Sequence, residues 1–178
     1  EALRLRYYAT NNEIAYNTFV GAGVKDFVFN AGGKNGEAIY IGTSSNQWGD
    51  GKNPTSGPDI STGNWVHHNY FDTRGNEAVD IKEGSTGNIV EYNVVTGQLD
   101  PNSGGLNARG DANVFRFNDV FGNVGAGIRL GGSTVDGIEY GQNNDVYGNY
   151  IHDNESGGIK FQVSPQGEIH GNLLENNV

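Results

Sequence analysis

The sequence has no cysteine, so it can form neither a disulfide nor a metal site built from thiolates. It also has little positive charge: 11 lysines and arginines stand against 21 aspartates and glutamates, which gives a net charge of -10. A surface with this balance repels nucleic acid and anionic membranes, so neither is expected as a partner. No apolar run approaches the length of a membrane span, and hydrophobic residues make up only 35% of the chain. What remains is a polar, acidic chain of 178 residues, enough for one domain.

A six-residue pattern recurs along the chain, with apolar residues at its third and fifth positions and mostly polar residues at its fourth and sixth. Its copies begin at Glu1, Glu37, Glu77, Gly104, Ala126 and Gly157. Because apolar and polar side chains alternate, each copy is typical of a strand that buries one face. So many copies in one chain indicate a repeat protein.

A second pattern follows most of these strands: an asparagine, four residues, another asparagine, and an apolar residue two places on. The second asparagines are Asn17, Asn69, Asn93, Asn118, Asn149 and Asn172. Their base spacing of roughly 24 residues, with short strands, predicts a coil of parallel strands rather than stacked helices. Asparagine suits the bends between such strands, and its amides can bond from rung to rung. We therefore expect these six asparagines to stack at one bend of the coil.

This arrangement resembles the right-handed parallel β-helix proteins of the pectate-lyase-like superfamily. The resemblance covers residues 1–178, which we interpret as a single all-β solenoid domain of about six rungs. The chain begins inside a repeat and has no polar cap, so we interpret it as a piece of a longer protein. Residues 43–63 are predicted to leave the coil as an inserted loop, and residues 131–142 as a shorter one. Loops on one side of a solenoid often form its binding face.

One face of the coil is predicted to gather positive charge. The fourth and sixth strand positions point away from the core, and they hold Arg4, Arg6, Lys82, Arg109, Arg129 and Lys160. Such a stripe predicts a groove for an extended polyanion, in particular an acidic polysaccharide. Asp80 and Asn107 share this face, and Tyr40 and Trp48 are candidates to stack on sugar rings. The alternatives are a solvated strand face for the stripe and, for Trp48, a side chain folded back on the coil.

Lys82 and Arg109 occupy the same position on successive rungs, so their backbones should lie about 5 Å apart. Two cations at this distance disfavour each other's charge, and we expect the pKa of Lys82 to be lowered. A neutral lysine could take the proton beside a uronate carboxylate, and Arg109 could stabilise the resulting charge, as a β-elimination requires. The alternative is a pair of solvated cations.

The residues around this pair resemble the alginate lyase and chondroitinase B family. The matching segments are Asn35–Gly42, Glu77 with Lys82 five residues on, and Leu106–Gly110. In that family the lysine is the base, the arginine assists as acid, and glutamate and asparagine side chains hold calcium. The resemblance therefore implies catalysis by Lys82 and Arg109, and a Ca²⁺ site at Glu77 with Asp80 beside it. The chain departs from the family, which has arginine, an acidic residue and histidine, at Tyr40, Gly75 and Gly110.

Three functions are compatible with the sequence. The first is a secreted polysaccharide lyase that cleaves a uronic-acid polymer. The second is a non-catalytic module, such as an adhesin or fibre segment, that binds polysaccharide or acts as a spacer. The third is a glycoside hydrolase, which needs two carboxylates across one groove, and Asp80 with Glu77 or with Asp111 offers such a pair. Glu1, Glu37 and Glu77 also share one strand position, where they either hold a cation or are solvated at a corner.

Overall fold

The computed structural model describes residues 1–28, 35–51, 53 and 55–178. Within these residues nearly all regular structure is β, and the strands are numbered β1 to β20 along the chain. Three parallel sheets of six strands each confirm the predicted parallel β-helix of about six rungs. In this described part of the chain, no helix is both long and apolar enough to cross a membrane.

The three sheets form the three faces of the coil. Sheet A consists of β1 (Leu3–Leu5), β4 (Ile39–Ile41), β7 (Val79–Ile81), β10 (Gly104–Ala108), β13 (Ala126–Leu130) and β18 (Ile159–Phe161). Sheet B consists of β2 (Glu13–Ala15), β5 (Trp65–His67), β8 (Ile89–Glu91), β11 (Val114–Arg116), β16 (Asp145–Tyr147) and β19 (Ile169–His170). Sheet C consists of β3 (Thr18–Val20), β6 (Tyr70–Gly75), β9 (Val94–Gln98), β12 (Asp119–Phe121), β17 (Tyr150–His152) and β20 (Leu173–Glu175). Each strand pairs with its counterparts in the neighbouring rungs. Because these counterparts run in the same direction, the pairing within the sheets is parallel.

The core is a column of apolar side chains that the alternating pattern turns inward. Val66 and Phe71, from two faces of one rung, are both fully buried, and side chains of this kind each stabilise the fold by about 1.5–3 kcal/mol. Strand register confirms both apolar stacks that the repeats predict. They are Ile14, Val66, Val90, Phe115, Val146 and Ile169 in sheet B, and Phe19, Phe71, Val95, Val120, Ile151 and Leu174 in sheet C.

The predicted asparagine ladder runs along the corner between sheets B and C. Each side-chain amide donates to the amide oxygen of its counterpart in the next rung, over 2.9 to 3.1 Å. Asn118 also donates to the carbonyl of Val90, 2.9 Å away. The ladder thus pairs backbone groups that the corner would otherwise leave buried without a partner.

Two further ladders occupy the other corners. At the corner between sheets A and B, the first asparagines of the repeat bond in the same way, through Asn12, Asn64, Asn88, Asn113 and Asn144. Where the last repeat has Gly167 in place of asparagine, Gln166 accepts from Asn144 instead. A shorter ladder of Asn123, Asn154 and Asn177 lies between sheets C and A.

The loops leave the coil at two corners. The segment between β4 and β5 contains the predicted 43–63 insertion, with one 3-10 turn at Ser45–Gln47. The segment between β3 and β4 is a second long connection between Asn17 and Asn69. The asparagine spacing alone did not distinguish it from the 43–63 insertion. Its residues 29–34 lie outside the described part. Residues 131–142 form an antiparallel hairpin of β14 (Thr134–Val135) and β15 (Ile138–Glu139).

Candidate functional site

A cleft of about 490 Å³ lies on the outer face of sheet A. One residue of each sheet A strand lies in register with its counterparts, and together they form a row across the rungs: Arg4, Tyr40, Asp80, Asn107, Arg129 and Lys160. All of this row except Lys160 lines the cleft, and so do Lys82 and Arg109 at the strand ends. The alternation of the strands therefore brings most of the predicted residues to one site.

Loops at both ends of the strands bound this cleft. Ser44, Asn46 and Gln47 of the 43–63 insertion form part of one wall, as expected for that loop. On the other side, Asn102 and Ser103 precede β10 and also line the cleft. The site is thus a trough across the rungs, with a volume in the range of ligand-binding clefts.

Three buried carboxylates form the acidic part of the cleft. Glu37, Glu77 and Asp80 each offer a carboxylate oxygen, and these oxygens lie within 4.8 Å of one another. Ser103 donates to one oxygen of Glu77, whereas the other, Oε2, is buried without a hydrogen-bond partner. Asn107 donates to Asp80 over 2.7 Å. Burial and the nearby charge of Asp80 raise the pKa of Glu77 to about 8, and they also raise the pKa of Glu37.

This carboxylate cluster fits a hard divalent cation. Such ions take oxygen ligands, and close carboxylates need a compensating positive charge. The unpartnered Oε2 of Glu77 points to the same conclusion, because a buried carboxylate oxygen without a partner is costly. Glu77 and Asp80, the predicted ligands, both lie in this cluster, and Glu37, one of the three stacked glutamates, is its third member. Glu1 lines the cleft but pairs with Arg4 over 3.3 Å.

Lys82 is buried and forms an ion pair with Asp80. Burial alone would lower the pKa of Lys82, but the attraction of Asp80, Tyr40 and Glu77 outweighs it, so the pKa is raised. The expected lowering by Arg109 is therefore wrong. The sequence reasoning placed Asp80 on the same strand face, but it derived the pKa of Lys82 from Arg109 alone and did not include the charge of Asp80.

Arg109 is oriented by Glu83, a residue that the sequence reasoning missed. The guanidinium of Arg109 lies 2.5 Å from Oε1 of Glu83, whose side chain is fully buried. Glu83 also accepts from the backbone N–H of Ser45 over 3.2 Å and from the hydroxyl of Ser133 over 2.9 Å. One carboxylate thus fixes Arg109, the 43–63 loop and the 131–142 hairpin. The available signal was an acidic residue directly beyond a strand end, outside the six-residue pattern.

Tyr40 lies between cations at the bottom of the cleft. The guanidinium of Arg4 is 4.4 Å from its ring centroid, and Nζ of Lys82 is 4.8 Å away. Only 6% of Tyr40 is exposed, so its ring offers little surface for the predicted sugar stacking. Burial raises the pKa of Tyr40 to about 12, which keeps the phenol protonated at neutral pH.

Trp48 is turned into the protein and does not line the cleft. Its indole N–H donates to the carbonyl of Thr43 over 2.9 Å, and its ring packs edge-on against Tyr140. With 6% of the residue exposed, the prediction that Trp48 stacks on sugars is wrong. The alternative, a side chain folded back on the coil, describes its position.

The remaining predicted residues divide between the cleft and its surroundings. Arg129 donates to Asn107 over 3.1 Å and to Gln162 over 2.5 Å, and burial lowers its pKa. Lys160 lies beside Arg129 in strand register but outside the cleft lining. Arg6 is also outside it, with its guanidinium 4.5 Å from the ring of Tyr7. The predicted stripe is therefore a mixed site in which three carboxylates lie among the cations, rather than a continuous basic groove.

Asp111 does not form a carboxylate pair with Asp80 across the cleft. Its carboxylate accepts from the backbone N–H groups of Gly141 and Gln142, at the end of the 131–142 hairpin, and it does not line the cleft. This placement removes one of the two pairs considered for a glycoside hydrolase. In the other pair, Asp80 and Glu77 have carboxylate oxygens within 4.8 Å of each other and belong to the carboxylate cluster described above.

Comparisons with known proteins support the fold. No protein-family model and no curated protein matches the sequence. Among solved structures, the chain is similar to an alginate lyase from Paenibacillus sp. str. FPU-7, with 20% sequence identity and a TM-score of 0.74. The similarity covers 98% of this chain and 58% of that one, so the chain spans little more than half the length of the alginate lyase. The chain therefore shares the parallel β-helix fold of a solved alginate lyase.

Proposed function

We propose that the chain belongs to a polysaccharide lyase that cleaves a uronic-acid polymer by β-elimination. The observation that carries this proposal is the cleft on sheet A, where Lys82 and Arg109 of successive rungs lie beside three buried carboxylates. The shared fold with an alginate lyase agrees with it. Polymers of this kind occur outside cells, so secretion is part of the same proposal.

Arginines supply the binding of the polymer. Arg4, Arg109 and Arg129 line the cleft of a protein whose net charge is -10, so its attraction for an anion is concentrated there. Guanidinium groups match the geometry of a sugar carboxylate. We therefore assign the uronate carboxylates of the polymer to these three side chains.

β-Elimination requires a base and a proton donor at one sugar. The base removes the proton at C5, beside the carboxylate. That electron pair forms the double bond between C4 and C5 as the bond from C4 to the linking oxygen breaks, and the leaving oxygen takes a proton. Lys82 is the amine in the cleft that can serve as the base. Tyr40 is the donor with a transferable proton, because the pKa of arginine is too high for Arg109 to release one.

Glu37, Glu77 and Asp80 would hold a divalent cation in this site. When bound there, such an ion would supply positive charge beside the substrate carboxylate and would so stabilise the charge that develops when the C5 proton leaves. The carboxylates also control Lys82, since Asp80 and Glu77 raise its pKa. Compensation of their charge would lower the pKa of Lys82 and leave the amine free to accept a proton. We include Ca²⁺ in the proposal on these grounds.

The test is a scan of the purified protein against alginate, pectate and unsulfated glycosaminoglycans, with Ca²⁺ and with a chelator. We expect new ultraviolet absorbance from the unsaturated product with at least one polymer, and a lower rate with the chelator. Absence of product from every uronate polymer in the presence of Ca²⁺ would overturn the proposal.

A non-catalytic module that binds acidic polysaccharide is the second candidate. The observation in its favour is that both cations of the proposed catalytic pair are held by carboxylates, Lys82 by Asp80 and Arg109 by Glu83. Titration calorimetry separates the two functions. A binding module gives heat on mixing with a uronate polymer but no absorbance change over hours.

A further inference from the structure

A second cleft, of about 310 Å³, lies beside the first. Its lining includes Ser133, Thr134, Glu139 and Tyr140 of the hairpin, and Gln162 and Ser164 beyond β18. None of the candidate functions described above makes use of this cavity.

Two side-chain contacts connect the clefts. Arg129, in the lining of the first, donates to Gln162, in the lining of the second, over 2.5 Å. Ser133 of the second cleft donates to Glu83, which in turn holds Arg109 of the first. Gln162 lies two residues beyond Lys160, the next residue of the row, so an extended chain that passes Arg129 on the side of Gln162 runs from one cleft into the other.

A common wall borders both clefts. The 43–63 loop lines the first and the hairpin lines the second. The two segments meet where Trp48 packs against Tyr140 and where the hydroxyls of Ser45 and Ser133 lie 3.5 Å apart. Because this wall is continuous, the two cavities form successive parts of one track.

The clefts differ sharply in charge. The first contains Arg4, Lys82, Arg109 and Arg129. Among the described residues that line the second there is no lysine or arginine, and its one charged side chain is the carboxylate of Glu139. A uronate carboxylate would be repelled there, whereas hydroxyl and amide side chains match the hydroxyl groups of an uncharged sugar.

From this contrast we infer that the second cleft is a binding site for an uncharged sugar unit of the same polymer. The inference rests on the proposed function and narrows its substrate class. The polymer that fits the track places a uronic acid in the first cleft and a neutral sugar beyond Arg129. A uniform polyuronate would place a carboxylate against Glu139.

The test compares two hexasaccharides by titration calorimetry: one from hyaluronan, in which uronic acid alternates with an uncharged sugar, and one from alginate, in which every unit is a uronic acid. All proteins carry Lys82→Ala to prevent turnover. We expect the hyaluronan hexasaccharide to bind about fivefold more tightly, and Glu139→Lys to reduce this preference by at least about fivefold. Glu175→Lys, the same charge change at an exposed residue of sheet C, should leave the preference unchanged.

The inference would be overturned if the alginate hexasaccharide bound as tightly as the hyaluronan hexasaccharide, or more tightly, and if Glu139→Lys and Glu175→Lys had the same effect on the preference. Product formation by the wild-type protein is measured in parallel. Unsaturated product together with that binding result would leave the lyase proposal standing and remove only the second site. If Glu139→Lys reduces the preference for the hyaluronan hexasaccharide as expected but no polymer yields unsaturated product, the second site is supported and the lyase proposal is refuted.

Discussion

At the scale of single residues, Glu83 organises the cleft although it contacts no solvent. Its buried carboxylate receives hydrogen bonds from Ser45 and Ser133 and an ion pair from Arg109. A buried charge with partners from three segments is costly to break, because each partner is left with an unmet bond. Glu83 is therefore a positioning residue for Arg109 and for both walls.

Replacing Glu83 by glutamine tests this role. The amide keeps the shape but removes the charge that faces Arg109, so we expect the free energy of unfolding to fall by about 3 kcal/mol in urea denaturation. Ser133→Ala is the matched control, since it removes one hydrogen bond to the same carboxylate but keeps the charge that faces Arg109, and it should cost about 1.5 kcal/mol. An equal or smaller loss for Glu83→Gln would show that the ion pair does not fix the site.

The raised pKa of Glu77 predicts how stability depends on pH without divalent cations. The folded protein keeps a proton on Glu77 up to about pH 8, whereas the unfolded chain releases it near its ordinary pKa of 4.5. Stability contributed by this proton is present at low pH and is lost as pH rises through this window. In a chelator, we expect the melting temperature of Glu77→Gln to fall less with pH than that of the wild type.

Glu168→Gln serves as the control for this pH series, because the side chain of Glu168 is 79% exposed. It should reproduce the wild-type pH dependence. If the melting temperature of Glu77→Gln falls with pH as steeply as that of the wild type, burial of Glu77 does not keep a proton on its carboxylate in the folded protein.

Residue environments were only partly predictable from the sequence. Strand alternation predicted that Lys82 lies on the outer face. Its charge state depends on Asp80 and Glu77, and the burial of these two side chains cannot be predicted from the sequence. Trp48 shows the same limit, because its partner Tyr140 comes from a distant loop. Strand periodicity predicts which way a side chain points, whereas a pKa or a loop contact depends on neighbours that only the assembled fold defines.

At the scale of elements, the corners hold the coil together as much as the strands do. Asn118 donates to the carbonyl of Val90 and to Asn149, and it accepts from the backbone and side chain of Asn93. Asn17, on the first rung, bonds to Asn69 on one side only and is exposed. The ladder is therefore expected to contribute most in its middle.

Asn118→Ala should lower the free energy of unfolding by about 2 kcal/mol, because it leaves buried backbone groups without partners. Asn17→Ala, at the exposed end of the same ladder, should cost less than about 1 kcal/mol. Urea denaturation of both variants measures the difference. Equal effects at the two positions would mean that burial of the ladder does not set its energy.

The rungs were predictable because their signals are local. Alternation and the asparagine spacing gave the register of sheets B and C, and the row of sheet A from Arg4 to Lys160 followed. The excursion between β3 and β4 was not separated from the 43–63 loop, since both lie within one long asparagine interval. Asn12 and its counterparts were recognised as a repeat, but their side-chain bonding required the corner geometry.

At the scale of the whole molecule, charge and shape distinguish one face, to which we assign the proposed function. The chain carries a net charge of -10, yet four of its cations line the cleft of sheet A. Two loops from different rungs meet beside this face and form its wall. A rod of about six rungs, roughly 30 Å long, thus presents one lateral trough suited to an extended polymer.

The central claim is that this trough carries out β-elimination with Lys82 as a catalytic residue. Its most direct test is the initial rate of unsaturated product from a uronate polymer, measured for the wild type, Lys82→Ala and Lys25→Ala. Lys25 is exposed and is not among the residues that line the cleft, so its variant should retain the wild-type rate. Lys82→Ala should lose at least about a thousandfold in rate while its circular dichroism stays unchanged. A folded Lys82→Ala variant that forms product at the wild-type rate would contradict the account.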